Sequence, residues 1–165
     1  MPEPQRTSSQ PLRRETQAAT RQPLRERVAT AILDTGAVAI LRQGDYLVAS
    51  IQSDLTDNEV LALRDDLAER IGSYRTRGLI IDVAALDVID SFVARSLRSL
   101  ALTANLHGAE TMIVGIQPDV AVAMVHFHLN LKPLRATQDL DEALALLDRH
   151  THGGAEVRAT TERRS

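Results

Sequence analysis

Short apolar runs alternate with longer amphipathic segments through the middle of the chain, from about residue 37 to residue 147. The short runs are rich in Val, Ile and Leu and predict buried strands, whereas apolar positions that recur every three or four residues predict helices packed on a sheet. The resulting order is strand, strand, helix, strand, helix, strand, helix, strand, helix. We therefore predict an α/β fold with a mixed sheet, in which the edge strand is antiparallel and the remaining strands are largely parallel, flanked by about four helices.

Turn and capping residues divide this region into elements. Gly44 can adopt the positive φ that a tight hairpin requires, so the first two strands should pair antiparallel. Thr56 followed three residues later by Glu59 is a capping-box pattern, which predicts a helix over about residues 57–73. Further helix starts are predicted at Asp90, Pro118 and Asp139. The predicted strands lie at residues 37–41, 46–51, 78–83, 111–116 and 134–137. The apolar positions expected to face inward on the last two helices are Ala121, Met124, Val125, Leu129, Leu140, Ala143, Leu144 and Leu147.

The two ends of the chain lack this pattern. Residues 1–35 are rich in Pro, Gln, Ser, Thr and Arg and carry little apolar surface, which predicts a flexible N-terminal extension. Within it, Leu24, Val28 and Ile32 recur every four residues, a spacing that predicts a short helical segment ahead of the domain. Residues 151–165 contain two adjacent glycines and a charged terminus, and we expect a disordered C-terminal tail. The folded domain is therefore predicted at residues 36–150.

Composition narrows the choice of partners. Aromatic residues make up 2% of the sequence, which disfavours nucleic-acid modules that stack bases on aromatic side chains. The 19 basic and 22 acidic residues are interspersed and give a net charge of −3, so no positive field attracts a nucleic acid or an anionic membrane. The chain has no cysteine and no apolar run long enough for a membrane span. We expect a cytoplasmic protein without nucleic-acid or membrane partners.

Sequence patterns of common active sites are absent. The chain has no phosphate-binding P-loop, no G-x-G-x-x-G fingerprint and no G-x-S-x-G nucleophile elbow. His126 and His128 stand two residues apart, and on a helix such residues point in directions about 200° apart, so they should not share a metal ion. We accordingly predict a non-enzymatic protein with no catalytic residue, no metal site and no cofactor.

One segment places a hydroxyl group beside carboxylates at the start of a helix. Ser91 follows a buried strand and lies where the first turn of a helix has unpaired backbone N–H groups. In one interpretation Ser91 only shares the capping of the helix with Asp90. In the other, Ser91 is phosphorylated, which adds about −1.5 to −2 charges. The helix N-terminus favours this charge and nearby carboxylates oppose it. The added charge then weakens the binding of a partner docked on this loop. The residues expected to contact such a partner are Asp87, Ile89, Asp90 and Phe92.

Four segments of the chain together resemble a known family. They are Val48-Ala49-Ser50-Ile51-Gln52, Leu79-Ile80-Ile81-Asp82, Val88-Ile89-Asp90-Ser91-Phe92 and the run from Val114 to Val122 that contains Gly115-Ile116-Gln117-Pro118. In sequence and in spacing, from about Ala37 to Leu147, they resemble the RsbS family of single-STAS-domain scaffold proteins of the bacterial stressosome. The combination of I-D-S-F with G-I-Q-P is more specific than the general STAS pattern.

The resemblance implies a regulator that acts by binding other proteins. It implies that Ser91 is phosphorylated by an RsbT-type serine kinase, that the unphosphorylated protein sequesters this kinase, and that phosphorylation releases it. It further implies RsbR-type STAS co-scaffold proteins, an RsbX-type phosphatase that resets Ser91, and self-association in a large shell.

Two alternatives remain open on the sequence. An anti-anti-sigma factor would share the fold and the serine, bind an anti-sigma kinase and form no shell. The G-I-Q-P run and Phe92 argue against it, because those relatives typically carry a small residue in place of the phenylalanine. A nucleotide- or anion-binding α/β protein would instead use the start of the same helix as an anion site. The chain also departs from the RsbS pattern in having residues 1–35 ahead of the domain, since the family's domain usually starts close to the N-terminus.

Overall fold

The computed structural model describes residues 30–161, with side chains described from Leu33 to Thr151. Within these residues a six-stranded sheet lies at the centre, with its strands in chain order: β1 Thr30–Asp34, β2 Val38–Gln43, β3 Tyr46–Ile51, β4 Gly78–Asp82, β5 Glu110–Val114 and β6 Arg135–Thr137. β1, β2 and β3 pair antiparallel in succession, and β3, β4, β5 and β6 pair parallel. The predicted mixed sheet is confirmed.

Four helices accompany the sheet in the same part of the chain: α1 Asp57–Tyr74, α2 Ser91–Leu106, α3 Pro118–His126 and α4 Leu140–Thr161. Thr56 and Glu59 form the predicted capping box of α1. Asp90 and Asp139 accept backbone hydrogen bonds at the starts of α2 and α4. None of the helices in the described residues is long and apolar enough to cross a membrane.

Successive residues of the parallel strands face two separate apolar cores, because side chains alternate between the faces of a sheet. One core joins the sheet to α1, α2 and α3 and includes Leu47, Leu79, Ile81 and Ile113. The other joins the sheet to α4 and includes Tyr46, Val48, Ile80, Met112 and Val114. A sheet covered on both faces explains why the strands read as continuous apolar runs in the sequence.

The sheet begins before residue 36, so the predicted start of the folded domain is wrong. Residues 30–34 form the edge strand β1. Ile32, which the four-residue spacing placed in a short helix, lies in this strand and is the extra residue of a β-bulge against β2. Backbone pairing with β2 therefore overrides the local helical spacing. The rest of the predicted extension, residues 1–29, lies outside the described residues.

The predicted C-terminal tail is also wrong as far as Thr161, because α4 continues to that residue. Thr151 shows why the helix persists: its hydroxyl bonds to the carbonyl of Leu147 and contacts the Tyr46 hydroxyl, and the Arg77 guanidinium donates to its carbonyl. These contacts tie α4 to the sheet where the tail was expected to begin. Beyond the two glycines the sequence is rich in Ala, Glu and Arg, which favour helices. Residues 162–165 lie outside the described residues.

Two residues predicted to face inward lie at the surface. Val125 is 76% exposed and Leu140 is 37% exposed. On α3 the buried side chains are Val120 and Met124, spaced by four residues. Val125 directly follows Met124, and consecutive helix residues point about 100° apart, so Val125 faces away from the core.

Candidate functional site

The loop between β4 and α2, residues 83–90, carries the chain from the carboxyl end of a parallel strand to Ser91. The Val83 N–H donates to the carbonyl of Val114 at the end of β5, which fixes the start of the loop. Leu86 and Ile89 are buried in the core, so the loop is also anchored along its length. We call residues 83–90 the serine loop. It holds Ser91 in a defined position at the edge of the sheet.

The neighbouring loop between β5 and α3 packs directly against the serine loop. Gly115 has a φ of +79°, and a Cβ atom at this position would lie 2.7 Å from the Cβ atom of Ala84. The side-chain amide of Gln117 donates to the Ala84 carbonyl at 2.9 Å, and Pro118 occupies the first turn of α3. The Gly-Ile-Gln-Pro run therefore supports the serine loop by close approach and by a hydrogen bond.

Ser91 is the first residue of α2 and is exposed. The helix is capped by Asp90, whose Oδ1 accepts the N–H groups of Phe92 and Val93 at 2.9 and 2.8 Å. Within the described residues no protein group forms a hydrogen bond with the Ser91 hydroxyl. The capping role that Ser91 was expected to share thus belongs to Asp90, and the hydroxyl is left accessible.

The structure places most of the predicted contact residues at the surface around Ser91. Asp87 and Asp90 are exposed and Phe92 is half-buried. Ile89 is the exception: it is 4% exposed and belongs to the core under α2, so it is not available to a partner. Its neighbour Val88 is 67% exposed and presents the apolar side chain of this loop instead.

Arg95 is a charged neighbour of Ser91 that was not predicted from the sequence. It lies four residues further along α2 and is exposed. Residues four apart on a helix are neighbours on its surface, about 5–6 Å apart between Cβ atoms. Arg95 forms no ion pair with another residue in the described part of the chain. The i, i+4 spacing was the sequence signal that would have found it.

His126 and His128 lie in different backbone environments. α3 ends at His126, and His128 lies beyond it with a φ of +53°, so the two residues do not share a helix as the sequence analysis assumed. Between residues 30 and 161, no group of three or more His, Cys, Asp or Glu residues is arranged to hold a metal ion.

Comparison with known proteins identifies the family. The model of the STAS domain family matches residues 37–143 of this chain. The chain belongs to the STAS domain family. Its solved relatives include RsbS from Moorella thermoacetica, in a variant with a serine-to-glutamate substitution. That STAS protein is 31% identical, with 70% of this chain and 97% of the RsbS chain covered and a TM-score of 0.62.

Two further relatives of this STAS domain are a chain of a stressosome structure and an RsbT co-antagonist protein. A structure described as the molecular architecture of the stressosome, a signal integration and transduction hub, contains a chain that is 30% identical. The match covers 68% of this STAS chain and 97% of that one, with a TM-score of 0.57. The RsbT co-antagonist protein RsbRD from Bacillus subtilis is 22% identical over 98 residues, which is 59% of this chain. This chain spans about a third of that relative's length, 35%. The STAS fold and the resemblance to stressosome proteins are thus confirmed.

Proposed function

We propose that this STAS domain is a stressosome scaffold and negative regulator, which sequesters an RsbT-type switch serine kinase and releases it when Ser91 is phosphorylated. The observation that carries the proposal is the exposed Ser91 hydroxyl, unbonded to other described protein groups while Asp90 caps the helix. Phosphorylation there removes no hydrogen bond on which α2 depends. The chain is the substrate of this reaction and not its catalyst.

The phosphoryl transfer changes only the exposed end of α2. The Ser91 oxygen bonds to the γ-phosphorus of ATP, the bond to ADP breaks, and the hydroxyl proton passes to a base of the kinase. The product adds about −1.5 to −2 charges at neutral pH. The N-terminus of α2 and the guanidinium of Arg95 favour this charge, whereas Asp87 and Asp90 oppose it. These attractions and repulsions act near the same end of α2 and offset each other, so we expect the helix to persist.

Phosphorylation changes the surface on which the kinase is proposed to dock. Val88 offers an exposed apolar side chain beside Ser91, and Phe92 is half-buried one residue further on. A phosphate next to this apolar surface must be desolvated when a partner covers it, which is costly for a charged group. A loss of about 1.4 kcal/mol in binding free energy is already tenfold in affinity. The phosphate thus acts by weakening the contact with the kinase.

The proposal includes assembly with other STAS domains. The relatives support it, because one comes from a stressosome structure and another is an RsbT co-antagonist. We place an RsbR-type co-scaffold, or a further copy of this chain in the shell, on the outer face of α3. There Val122, Val125 and Phe127 are 69%, 76% and 69% exposed. Apolar side chains grouped at a surface mark interaction sites. An RsbX-type phosphatase resets the serine.

The binding of the purified kinase to three variants tests the switch. Ser91→Asp places a negative charge at the switch, and we expect it to lower the affinity for an RsbT-type kinase at least tenfold. Ser91→Ala keeps the surface neutral and should bind as the wild type does. Ser99→Asp puts the same charge on another exposed serine of α2 and should leave the affinity unchanged. Equal affinities of Ser91→Asp and the wild type, measured by calorimetry on folded proteins, contradict the proposal.

A further inference from the structure

A cavity of about 190 Å³ lies between α1 and α2, next to the serine loop. Ile81 of β4 forms part of its wall. The rest of the wall consists mainly of leucines of the two helices: Leu63, Leu67, Leu97 and Leu100. The cavity opens to solvent where the exposed residues Asp54 and Val88 line it. A small molecule can therefore reach its apolar walls from solution.

Ser96 is a buried polar group in the wall of this cavity. It is 7% exposed, and its hydroxyl forms no hydrogen bond with any residue that the structure describes. Its oxygen keeps contact with the cavity space, since the one fully enclosed side-chain oxygen without a partner in the described residues is that of Thr111. Serine is a weaker helix former than alanine, so helix propensity does not explain this residue in α2. One hydrogen-bonding group in an apolar surround is the usual composition of a small-molecule site.

The charged lining of the cavity lies on its open side. Asp54 and Asp90 line the cavity and are exposed. Arg64 also lines it, and its guanidinium is paired with Asp65 at 2.7 Å. The leucine walls beyond these groups hold no charge, and an ionised ligand buried among them would lose its hydration without gaining a partner. The occupant that fits is therefore neutral.

We propose that the cavity binds a neutral single-ring molecule of the phenol class, with its hydroxyl hydrogen-bonded to Ser96 and its ring between the leucines of α1 and α2. An apolar cavity of about 150 Å³ is large enough to bind benzene. The volume here of about 190 Å³ leaves room for such a ring and one polar substituent.

This site adjoins the switch but does not depend on it. Asp90, which caps α2, and Val88 of the serine loop both line the cavity. A bound ligand would thus contact residues on either side of Ile89 and just ahead of Ser91. The inference goes beyond the proposed function, because ligand binding is measured on this protein alone, without kinase. A failure of either proposal leaves the other standing.

Titration of the full chain with phenol, and separately with toluene, tests the site. The readout is the shift of leucine and valine methyl resonances in NMR spectra. We expect saturable shifts at Leu63 and Leu97 with phenol. Ser96→Ala should weaken phenol binding roughly threefold to tenfold, the contribution of one neutral hydrogen bond, and should leave toluene binding unchanged. Ser99→Ala removes an exposed serine hydroxyl of the same helix, outside the cavity lining, and should change neither.

Two outcomes overturn the inference. One is the absence of saturable methyl shifts around the cavity with phenol. The other is a Ser96→Ala variant that binds phenol as tightly as the wild type does. Alanine is a strong helix former, so Ser96→Ala should remain folded, and a circular dichroism melt verifies this before the titration.

Discussion

Gly115 positions the serine loop through the side chain that it lacks. Its positive φ and the 2.7 Å distance from its would-be Cβ atom to that of Ala84 leave no room for an L residue. We expect Gly115→Ala to lower the free energy of unfolding by more than about 2 kcal/mol, because the left-handed conformation alone costs about 1–2 kcal/mol and the clash adds to it. Urea unfolding at equilibrium measures the loss.

Gly108→Ala is the matched control for this prediction. Gly108 also has a positive φ, +81°, but no atom lies within 4 Å of the position of an added Cβ. The control should show only the conformational cost, about 1–2 kcal/mol. Equal losses in the two variants would show that the two loops do not pack closely.

At the residue scale, the sequence correctly placed Asp90 and Ser91 at the start of α2, because helix-capping preferences are local. It placed Ile89 at the contact surface, where the structure buries it, and made no prediction for its exposed neighbour Val88. The two are adjacent β-branched residues in a loop, where no periodicity tells an inward position from an outward one. The unpartnered hydroxyl of Ser96 was also beyond reach, since it depends on how α1 and α2 meet.

At the element scale, the N-terminal turn of α2 depends on a single carboxylate. Asp90 accepts two backbone hydrogen bonds there. We expect Asp90→Ala to lower the free energy of unfolding by about 1 kcal/mol, the usual cost of losing such a cap. Asp87→Ala removes an exposed aspartate that does not cap α2 and should change stability by less than about 0.5 kcal/mol. If thermal unfolding shows the same loss for both, Asp90 is not the cap.

The contact between α4 and the sheet makes stability dependent on alkaline pH. Burial, followed by the hydrogen bond to Asp148, raises the pKa of the Tyr46 hydroxyl above its ordinary value. The folded state therefore favours the neutral phenol. This contribution is fully present below the unfolded pKa of about 10 and is lost as the pH rises through the higher folded value.

We therefore expect the free energy of unfolding to fall as the pH is raised above about 10, and to fall less in Tyr46→Phe, which has no phenol to ionise. Urea unfolding of both proteins across that pH range measures the difference. Parallel curves for the two proteins would mean that Tyr46 is not the group responsible.

Most strands and helices were predicted to within a few residues, because apolar runs and capping residues are local signals. The strand β1 and the end of α4 were missed for the opposite reason. β1 exists through its pairing with β2, and α4 continues across two glycines because Thr151 bonds to Arg77 and Tyr46. Such contacts between distant parts of the chain leave no pattern in the short segment that they stabilise.

At the scale of the whole molecule, the sheet separates a face covered by α4 from a face covered by the other helices. The serine loop and the exposed side of α3 belong to elements of the second face. A charge added at Ser91 therefore alters a surface of the domain while the two cores stay intact. The proposed function requires this division, because the switch must change the surface without disturbing the packing of the scaffold.

Complex formation with an RsbR-type partner tests the proposed interface on α3. Val125→Asp places a charge on its exposed face, and we expect it to reduce complex formation with an RsbR-type partner, since a charge in an apolar interface must be desolvated. Leu106→Asp charges another exposed apolar side chain, at the end of α2, and should assemble normally. Elution from a size-exclusion column measures the complex. Normal assembly of Val125→Asp would move the interface away from α3.

The most direct test of the account follows the kinase and the phosphate together. The complex of this protein with an RsbT-type kinase is incubated with ATP, and samples are divided between intact-mass analysis with site mapping and size-exclusion chromatography. We predict that the fraction of released kinase rises in step with the fraction of chains phosphorylated on Ser91, and that Ser91→Ala retains the kinase throughout. Retention of the kinase by chains fully phosphorylated on Ser91, or release that follows a phosphate on another residue, would contradict the account.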